Sequence, residues 1–261
     1  NLTRITGLTF SSNPKLTGTV PDLSKLTQLT SIELYENDLS GTLDEFVNCL
    51  NSTHIVTITL SLNSKLNGSL SDNISKFERL VYFDVRDTGI HGTIPESFCL
   101  LKNLSGFLYN AENIPDCFTQ LTNLQYLYLN GGLTGPIPSI LGQMTSIAEL
   151  DLSNNNFDSG VLPSWIFELP KLRKLDLSYT NLIGELNFNR KNLKSMYNLH
   201  LSHNKLVGSI PDVFQNLTVL IELFLDHNQL TGNFDNLCNM QNTVQFLYLG
   251  SNKFSLDKSN Y

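Results

Sequence analysis

The chain has 261 residues, of which 41% are hydrophobic and 16% are charged, and its formal net charge is −7. Its 17 lysines and arginines form no basic run, which argues against nucleic acid or an anionic membrane surface as a partner, because both need clustered cations. No apolar stretch approaches the roughly 20 residues that span a bilayer, so direct membrane insertion is not expected.

A repeat of 20 to 26 residues dominates the sequence. The clearest copies read L-x-x-L-x-L-x-x-N-x-L-x-G-x-I-P, as in "MYNLHLSHNKLVGSIP" from Met196 to Pro211. One such repeat cannot bury its apolar side alone, so we expect a single stacked array over residues 1–261. Its eleven repeats begin at Ile5, Leu29, Ile55, Leu80, Leu104, Leu124, Ile147, Leu172, Met196, Leu220 and Val244.

Each element of the repeat has a physical role. The L-x-L core alternates with period two and predicts a short strand with one buried face. The asparagine that follows can bond neighbouring backbone groups and form a ladder along the stack, with Thr88 and Thr180 as shorter substitutes. An apolar residue about every third position after the proline predicts a short helical or 3₁₀ turn.

The repeat resembles the plant-type subclass of the leucine-rich-repeat family. That resemblance implies an α/β-type solenoid, a curved right-handed superhelix with a concave parallel β-sheet and a convex side of 3₁₀ or short helical turns. It also implies a second short strand near G-x-I-P, and extracellular recognition as in receptor-like ectodomains and polygalacturonase-inhibitor-like proteins. The Cys- and Trp-bearing cap that usually covers the first repeat is missing, so we expect residues 1–261 to lack terminal caps.

The repeat at 104–123 is irregular, because only 20 residues separate Leu104 from Leu124. It lacks the N-x-L-x-G stretch, and with it the ladder amide, so local curvature should change there. The segment "NLSGFL" at 103–108 could also be aligned as an L-x-G segment. We place a strand start at Leu104 because this choice preserves the spacing downstream.

Four cysteines fall into two pairs of different character. Cys99 and Cys117 flank inward phenylalanines in consecutive repeats, and we predict a disulfide between them that spans the short repeat. The alternative is two separate thiols near the convex surface. Cys49 and Cys238 occupy the inward position itself and are predicted to be small, buried, free thiols.

Six Asn-x-Ser/Thr sequons predict glycosylation and a location outside the cell or at its surface, reached through the secretory pathway. Most lie away from the central strand positions, where a glycan would face solvent. The sequon asparagines are Asn1, Asn51, Asn67, Asn73, Asn103 and Asn216.

The side chains that flank the strand leucines should point into the concave groove. Carboxylates and aromatic side chains alternate there, a composition that favours a protein or peptide ligand, with a polysaccharide as the alternative. A merely solvated strand face that binds nothing is the competing interpretation. The predicted ligand-binding residues are Tyr35, Tyr82, Asp84, Arg86, Tyr126, Tyr128, Asp151, Asp176, Tyr179, His200, His203, Phe224, Asp226, His227 and Tyr248.

The densest group of titratable side chains in that list is His200, His203, Asp226 and His227. Two imidazoles and a carboxylate could bind zinc or respond to pH. We interpret them instead as an ordinary polar stripe copied between repeats, and we predict neither a metal nor a cofactor.

Catalysis is not expected. Asp151 and Asp176 could be compared with a glycosidase pair, but they lie on a regular open sheet without an enclosing pocket. The sequence therefore predicts a non-enzymatic extracellular recognition or scaffold domain. One alternative is a structural component that associates with itself in a matrix, coat or filament, and another is an inhibitor of a cell-wall hydrolase.

Overall fold

A computed structural model describes residues 4–188, 195–233, 237 and 243–255. The chain divides into two compact units, Asn1–Gly132 and Leu133–Tyr261, which we call the N-terminal and C-terminal units. Each unit is a stack of the predicted repeats. No helix among the described residues is both long enough and apolar enough to cross a membrane.

The N-terminal unit contains two sets of parallel strands. The first set takes one strand from each repeat in chain order: β1 (Gly7–Thr9), β3 (Ser31–Glu33), β5 (Thr57–Thr59), β7 (Tyr82–Asp84), β9 (Gly106–Ala111) and β10 (Tyr126–Leu129). The second set follows the ladder positions: β2 (Asn13–Gly18), β4 (Asn37–Thr42), β6 (Lys65–Gly68) and β8 (Gly89–Gly92). The second strand implied by the family resemblance is therefore present.

The C-terminal unit repeats this plan. Its main strands pair in the order β12 (Glu149–Asp151), β15 (Lys174–Asp176), β17 (Asn198–His200), β19 (Glu222–Phe224) and β21 (Phe246–Tyr248). Its second strands form a pair, β11 (Thr134–Gly135) with β13 (Asn156–Phe157), and a four-stranded sheet of β14 (Gly160–Val161), β16 (Leu182–Glu185), β18 (Lys205–Gly208) and β20 (Gln229–Leu230).

The main strands have one buried and one open face, as their period-two pattern predicts. The central leucines Leu175, Leu199 and Leu223 have no exposed surface, while the residues on either side of each are half-buried. We call the face that carries these flanking residues the open face. The sequence places the predicted ligand-binding residues on or beside this face.

Short helices connect the two sets of strands. Five 3₁₀ helices follow a proline, as the apolar spacing predicts: Glu96–Leu100, Asp116–Gln120, Ser139–Gln143, Ser164–Glu168 and Asp212–Asn216. A sixth, Asp72–Lys76, follows Ser71.

One repeat has an α-helix instead, α1 (Leu43–Asn48), which begins with a capping box between Thr42 and Glu45. This helix turns Phe46 and Val47 into the core, so Cys49 ends the helix only half-buried. The prediction of a buried Cys49 is therefore wrong, although the thiol is free. Cys238 lies outside the described residues.

The asparagine ladder is present in both units. In the N-terminal unit, the Asn63 side chain is fully buried and its amide donates to the carbonyls of Leu60 and Leu34, each at 2.8 Å. Its Oδ1 accepts from the Leu39 N–H at 3.0 Å. One side chain thus bonds its own repeat and the preceding one. The Thr180 hydroxyl lies 2.5 Å from the Leu177 carbonyl of its own repeat and 3.3 Å from Asn204 Oδ1 of the following repeat.

The short repeat keeps its strand and loses its turn. β9 pairs with β7 through Phe107 and then with β8 through Asn110 and Ala111, so one strand joins both sets without the missing N-x-L-x-G stretch. Gly106 pairs with Tyr82 and Tyr126, each two residues after the start of its repeat, and this register confirms a repeat start at Leu104 with its strand from Gly106. Aromatic side chains fill the core here, with the Phe107 ring centroid 4.4 Å from Phe98 and 5.7 Å from Tyr109.

A disulfide joins Cys99 and Cys117, which lie in the 3₁₀ helices before and after β9, with 6.0 Å between their Cα atoms. Tyr109, at the end of the same strand, is fully buried. Its hydroxyl makes no well-formed hydrogen bond within the described part of the chain. Burial raises the pKa of Tyr109 to about 12, and a contact of the hydroxyl with the Leu70 backbone opposes that shift.

Candidate functional site: the open face of the repeats

In the N-terminal unit, two tyrosines flank a glycine on the open face. Tyr82, Gly106 and Tyr126 are in register on β7, β9 and β10. The Tyr82 ring lies across Gly106, since a Cβ on that glycine would come within 2.4 Å of it. The two tyrosines are half-buried, and the missing side chain at 106 leaves space for the ring.

Beside these tyrosines, Arg86 binds Asp84 in a bidentate ion pair, with Nε–Oδ1 at 3.1 Å and Nη2–Oδ2 at 3.0 Å. The same guanidinium lies 5.2 Å from the Tyr128 ring centroid. Leu108 lies in register between Asp84 and Tyr128 and is buried although it occupies an open-face position.

One prediction changes as a result. Asp84 was predicted to face a ligand, but it is only 5% exposed because Arg86 closes over it. Its carboxylate therefore positions Arg86. The half-exposed groups of this patch are Tyr82, Arg86, Tyr126 and Tyr128, and Tyr35 is exposed elsewhere in the same unit.

In the C-terminal unit, an aromatic column runs across three strands. His200, Phe224 and Tyr248 are in register on β17, β19 and β21. The His200 and Phe224 centroids are 4.1 Å apart, and those of Phe224 and Tyr248 are 4.4 Å apart, with nearly parallel rings. The column ends at Tyr248, which is 51% exposed.

Acidic residues continue this column on the side of His200. Asp151, Asp176 and His200 follow one another in register on β12, β15 and β17. His200 Nδ1 lies 3.3 Å from Asp176 Oδ2, and Nε2 lies 2.8 Å from Glu222 Oε2. Burial would raise the pKa of Asp176, but hydrogen bonds from His200 and Ser178 outweigh it and lower that pKa.

Glu222 is missing from the predicted site, although it holds His200 and also accepts from Asn198 Nδ2 at 2.5 Å. Its position flanking Leu223 could have identified it. Long side chains on this face contact residues on neighbouring strands. The sequence of one repeat read alone does not show such contacts.

A second aromatic column runs beside the first. Tyr179, His203 and His227 occupy equivalent positions in consecutive repeats, and each ring centroid is 4.0 Å from the next. Asp226 lies among them, with its Oδ2 2.7 Å from His227 Nδ1 and 3.9 Å from His203 Nε2. Ser202 Oγ donates to the other carboxylate oxygen at 2.5 Å.

The predicted residues thus form two patches, one in each unit. Their chemistry suits recognition: stacked rings offer flat apolar area, and the carboxylates beside them offer negative charge. A glycosidase acid needs a raised pKa, whereas the pKa of Asp176 is lowered. The pKa of Asp226 is also lowered, because hydrogen bonds from Ser202 and His227 outweigh the effect of burial.

Four sequon asparagines are exposed: Asn51, Asn67, Asn73 and Asn103. The Asn103 amide donates to the Glu78 carbonyl at 2.9 Å, so a glycan there would replace that bond. Asn1 lies outside the described residues, as does the side chain of Asn216.

Comparisons with known proteins agree with this architecture. The Leucine Rich Repeat family model matches residues 146–169 and 195–217. Receptor-like protein 35 of Arabidopsis thaliana is 31% identical over 164 residues, which are 60% of this chain and 17% of that protein. The chain therefore carries plant-type leucine-rich repeats and resembles receptor ectodomains.

Solved structures give the same result. The plant peptide hormone receptor RGFR1, in complex with RGF2, has a TM-score of 0.76 and 28% identity over 97% of this chain and 41% of its own. The Arabidopsis receptor kinase HAESA ectodomain, in complex with an IDA peptide hormone, has a TM-score of 0.74 and 27% identity over 92% of this chain and 45% of its own. The chain thus spans less than half the length of each of these proteins.

Proposed function

We propose that this leucine-rich-repeat chain, which resembles plant receptor ectodomains, is a non-catalytic extracellular recognition domain that binds a peptide on its open face. The observation that carries the proposal is the column of His200, Phe224 and Tyr248, whose rings stack at 4.1 and 4.4 Å. Aromatic side chains beside open-face charges are a composition that peptide-binding surfaces favour.

Two of the related structures support a peptide as the ligand. RGFR1 and the HAESA ectodomain each appear in complex with a peptide hormone. Beside the column, Asp176 and Glu222 are partly exposed carboxylates that contact a single imidazole. We therefore expect a peptide that carries basic or hydroxyl-bearing side chains next to an apolar one.

Selection from a random peptide library displayed on phage tests this proposal, with the intact chain as bait. Selected peptides should bind the Phe224→Ala/Tyr248→Ala variant at least about tenfold more weakly, a loss of about 1.4 kcal/mol. The Tyr126→Ala/Tyr128→Ala variant tests the patch of the N-terminal unit in the same way.

Val161→Ala is the matched control, because Val161 is exposed on β14 of the second sheet. Selected peptides that bind both double variants as tightly as the wild-type chain would contradict the proposal. Binding of oligosaccharides in place of peptides, lost in the same variants, would support the polysaccharide alternative.

Self-association is a second candidate, and one specific observation favours it. An apolar depression of about 230 Å³ opens among the side chains of the first repeats, lined by Leu8, Phe10, Leu16 and neighbouring residues. Phe10 is 53% exposed. Light scattering should detect an oligomer that Phe10→Asp dissociates if this surface binds a second copy, and a monomer at all concentrations would rule that out.

A further inference from the structure

We propose that His203, Asp226 and His227 form a binding site for a divalent transition-metal ion of the Zn²⁺ class. The three residues lie beside the aromatic column of the proposed peptide site, and their ligand atoms all lie within 4.8 Å of one another. This inference revises the sequence-based expectation of no metal, and it does not depend on peptide binding.

The distances fit the ligand sphere of a small cation. His227 Nδ1 and His203 Nε2 lie 2.7 and 3.9 Å from Asp226 Oδ2. Two ligands that are each about 2.0 Å from a tetrahedral ion are separated by about 3.3 Å. The two observed separations lie on either side of that value, and no pair of the three ligand atoms is more than 4.8 Å apart.

The ligand types also fit. Imidazole nitrogens suit Zn²⁺, Cu²⁺ and Ni²⁺, and one carboxylate offsets half of a divalent charge. Three protein ligands leave a coordination position for water or for a ligand group. Cu²⁺ should bind more tightly than Zn²⁺, in accordance with the usual order of divalent affinities.

A neighbouring side chain already orients the carboxylate. Ser202 Oγ donates to Asp226 Oδ1 at 2.5 Å, which leaves Oδ2 directed at the two imidazoles. Hydrogen bonds of this kind, from a residue outside the ligand set, typically raise metal affinity because they hold the ligand in place. Ser202 is thus a positioning residue for the site.

The backbone conformation of the repeat does not by itself create the metal site. The backbone at His203 and His227 is left-handed, with φ of +56° and +53°, but the equivalent residues Ser12, Glu36 and Asp87 share that conformation. The turn geometry is therefore general, and what differs is the side chains. Among the described residues, this is the group of histidine and acidic side chains whose ligand atoms converge.

Binding carries a structural consequence that can be measured. The His203 and His227 rings stack at 4.0 Å with their planes 10° apart, and an ion in the plane of both rings requires that they tilt. His227 Nδ1 must also exchange its contact with Asp226 Oδ2, at 2.7 Å, for a bond to the ion. The His227 side chain is 51% exposed, so solvent borders one side of the ring.

Isothermal titration of the metal-free chain with ZnCl₂ tests the site. We expect one ion per chain, loss of that binding in His203→Ala, His227→Ala and Asp226→Asn, and a decrease of about 10- to 100-fold in Ser202→Ala. His91→Ala is the matched control, because His91 is an exposed histidine paired with Glu112 in the N-terminal unit. Equal affinity in the wild-type chain and the His203→Ala variant would overturn the proposal.

A measurement on the wild-type chain tests the metal site without relying on variants, which could fold poorly. In NMR spectra of its five histidines, ZnCl₂ should shift the imidazole resonances of His203 and His227 and leave those of His54 and His91 in place. Uniform shifts, or none, would show that the cluster binds no ion specifically.

Discussion

Phe224 and Tyr248 lie opposite each other in register on neighbouring strands, with ring centroids 4.4 Å apart and planes 15° apart. The buried leucines on either side of Phe224, Leu223 and Leu225, already fill the core of that repeat. The Phe224 ring therefore adds contact area on the open face where the fold does not need it, and Tyr248, which is 51% exposed, extends that area. This is the property expected of a binding surface.

Replacement of a ladder asparagine should destabilise the fold strongly, because this one small side chain bonds several buried backbone groups. Asn63→Ala removes the amide contacts to the Leu60, Leu34 and Ser61 carbonyls and the acceptor of the Leu39 N–H, although Leu34 keeps a bond from Asn37. We expect a loss of about 2–4 kcal/mol in the free energy of unfolding, measured by urea denaturation.

Asn63→Thr should lower the free energy of unfolding by less than Asn63→Ala does. A threonine at this position can still bond the carbonyl of its own repeat, as Thr180 does. The control is Asn48→Ala at an exposed position near the end of α1. An Asn63→Ala chain as stable as this control would argue against the ladder.

The disulfide across the short repeat should contribute measurably to stability. Cys99 and Cys117 are 18 residues apart, and closure of a loop of this size stabilises a fold by about 3 kcal/mol. We expect Cys99→Ser/Cys117→Ser to lower the urea midpoint, while Cys49→Ser, a replacement of the free thiol, has little effect. Mass spectrometry of a non-reduced digest checks the bond itself, and two free thiols at these positions would refute it.

Tyr109→Phe should leave the protein at least as stable as the wild type. The substitution removes a buried hydroxyl that lacks a well-formed hydrogen bond, and a group of that kind costs about 1–3 kcal/mol. Tyr126→Phe on the open face is the control and should be neutral. Clear destabilisation by Tyr109→Phe alone would mean that the hydroxyl has a partner.

Most of the fold could be predicted, because the repeat fixes strand, ladder and turn at constant offsets. The second strand came from the family resemblance. The burial of Cys49 was predicted wrongly because its repeat forms an α-helix. The α-helix has about 3.6 residues per turn and the 3₁₀ helix has about 3.0, so different positions face the core. The Thr42 and Glu45 capping box was the available signal for that helix.

The open face was predicted less completely, because its side chains interact across strands that are more than 20 residues apart in the sequence. Arg86, for example, covers Asp84 and also reaches Tyr128 on another strand. Residues at the same position of different repeats therefore differ in exposure. The short repeat has Gly106 and Leu108 at open-face positions, where most other repeats have polar or aromatic residues. These two residues were the signal that neighbouring side chains cover this part of the face.

The stability of the C-terminal unit should depend on pH through Asp176. Its pKa in the folded chain is lowered from 3.8, so its contribution is fully present above the unfolded pKa and is lost as pH falls through the folded value. We expect the stability difference between the wild-type chain and Asp176→Asn to be larger at about pH 6 than at about pH 3. A difference that does not change between these conditions would show that the His200 contact does not favour the ionised carboxylate.

Hydroxyl-radical footprinting with a library-selected peptide tests the central claim most directly, because it shows which face the ligand covers. We predict that a saturating peptide reduces the oxidation of Phe224, Tyr248 or Tyr179 on the open face and leaves Val161 on the second sheet unchanged. Protection confined to Val161 and its neighbours, with unchanged oxidation of the open-face rings, would contradict the account.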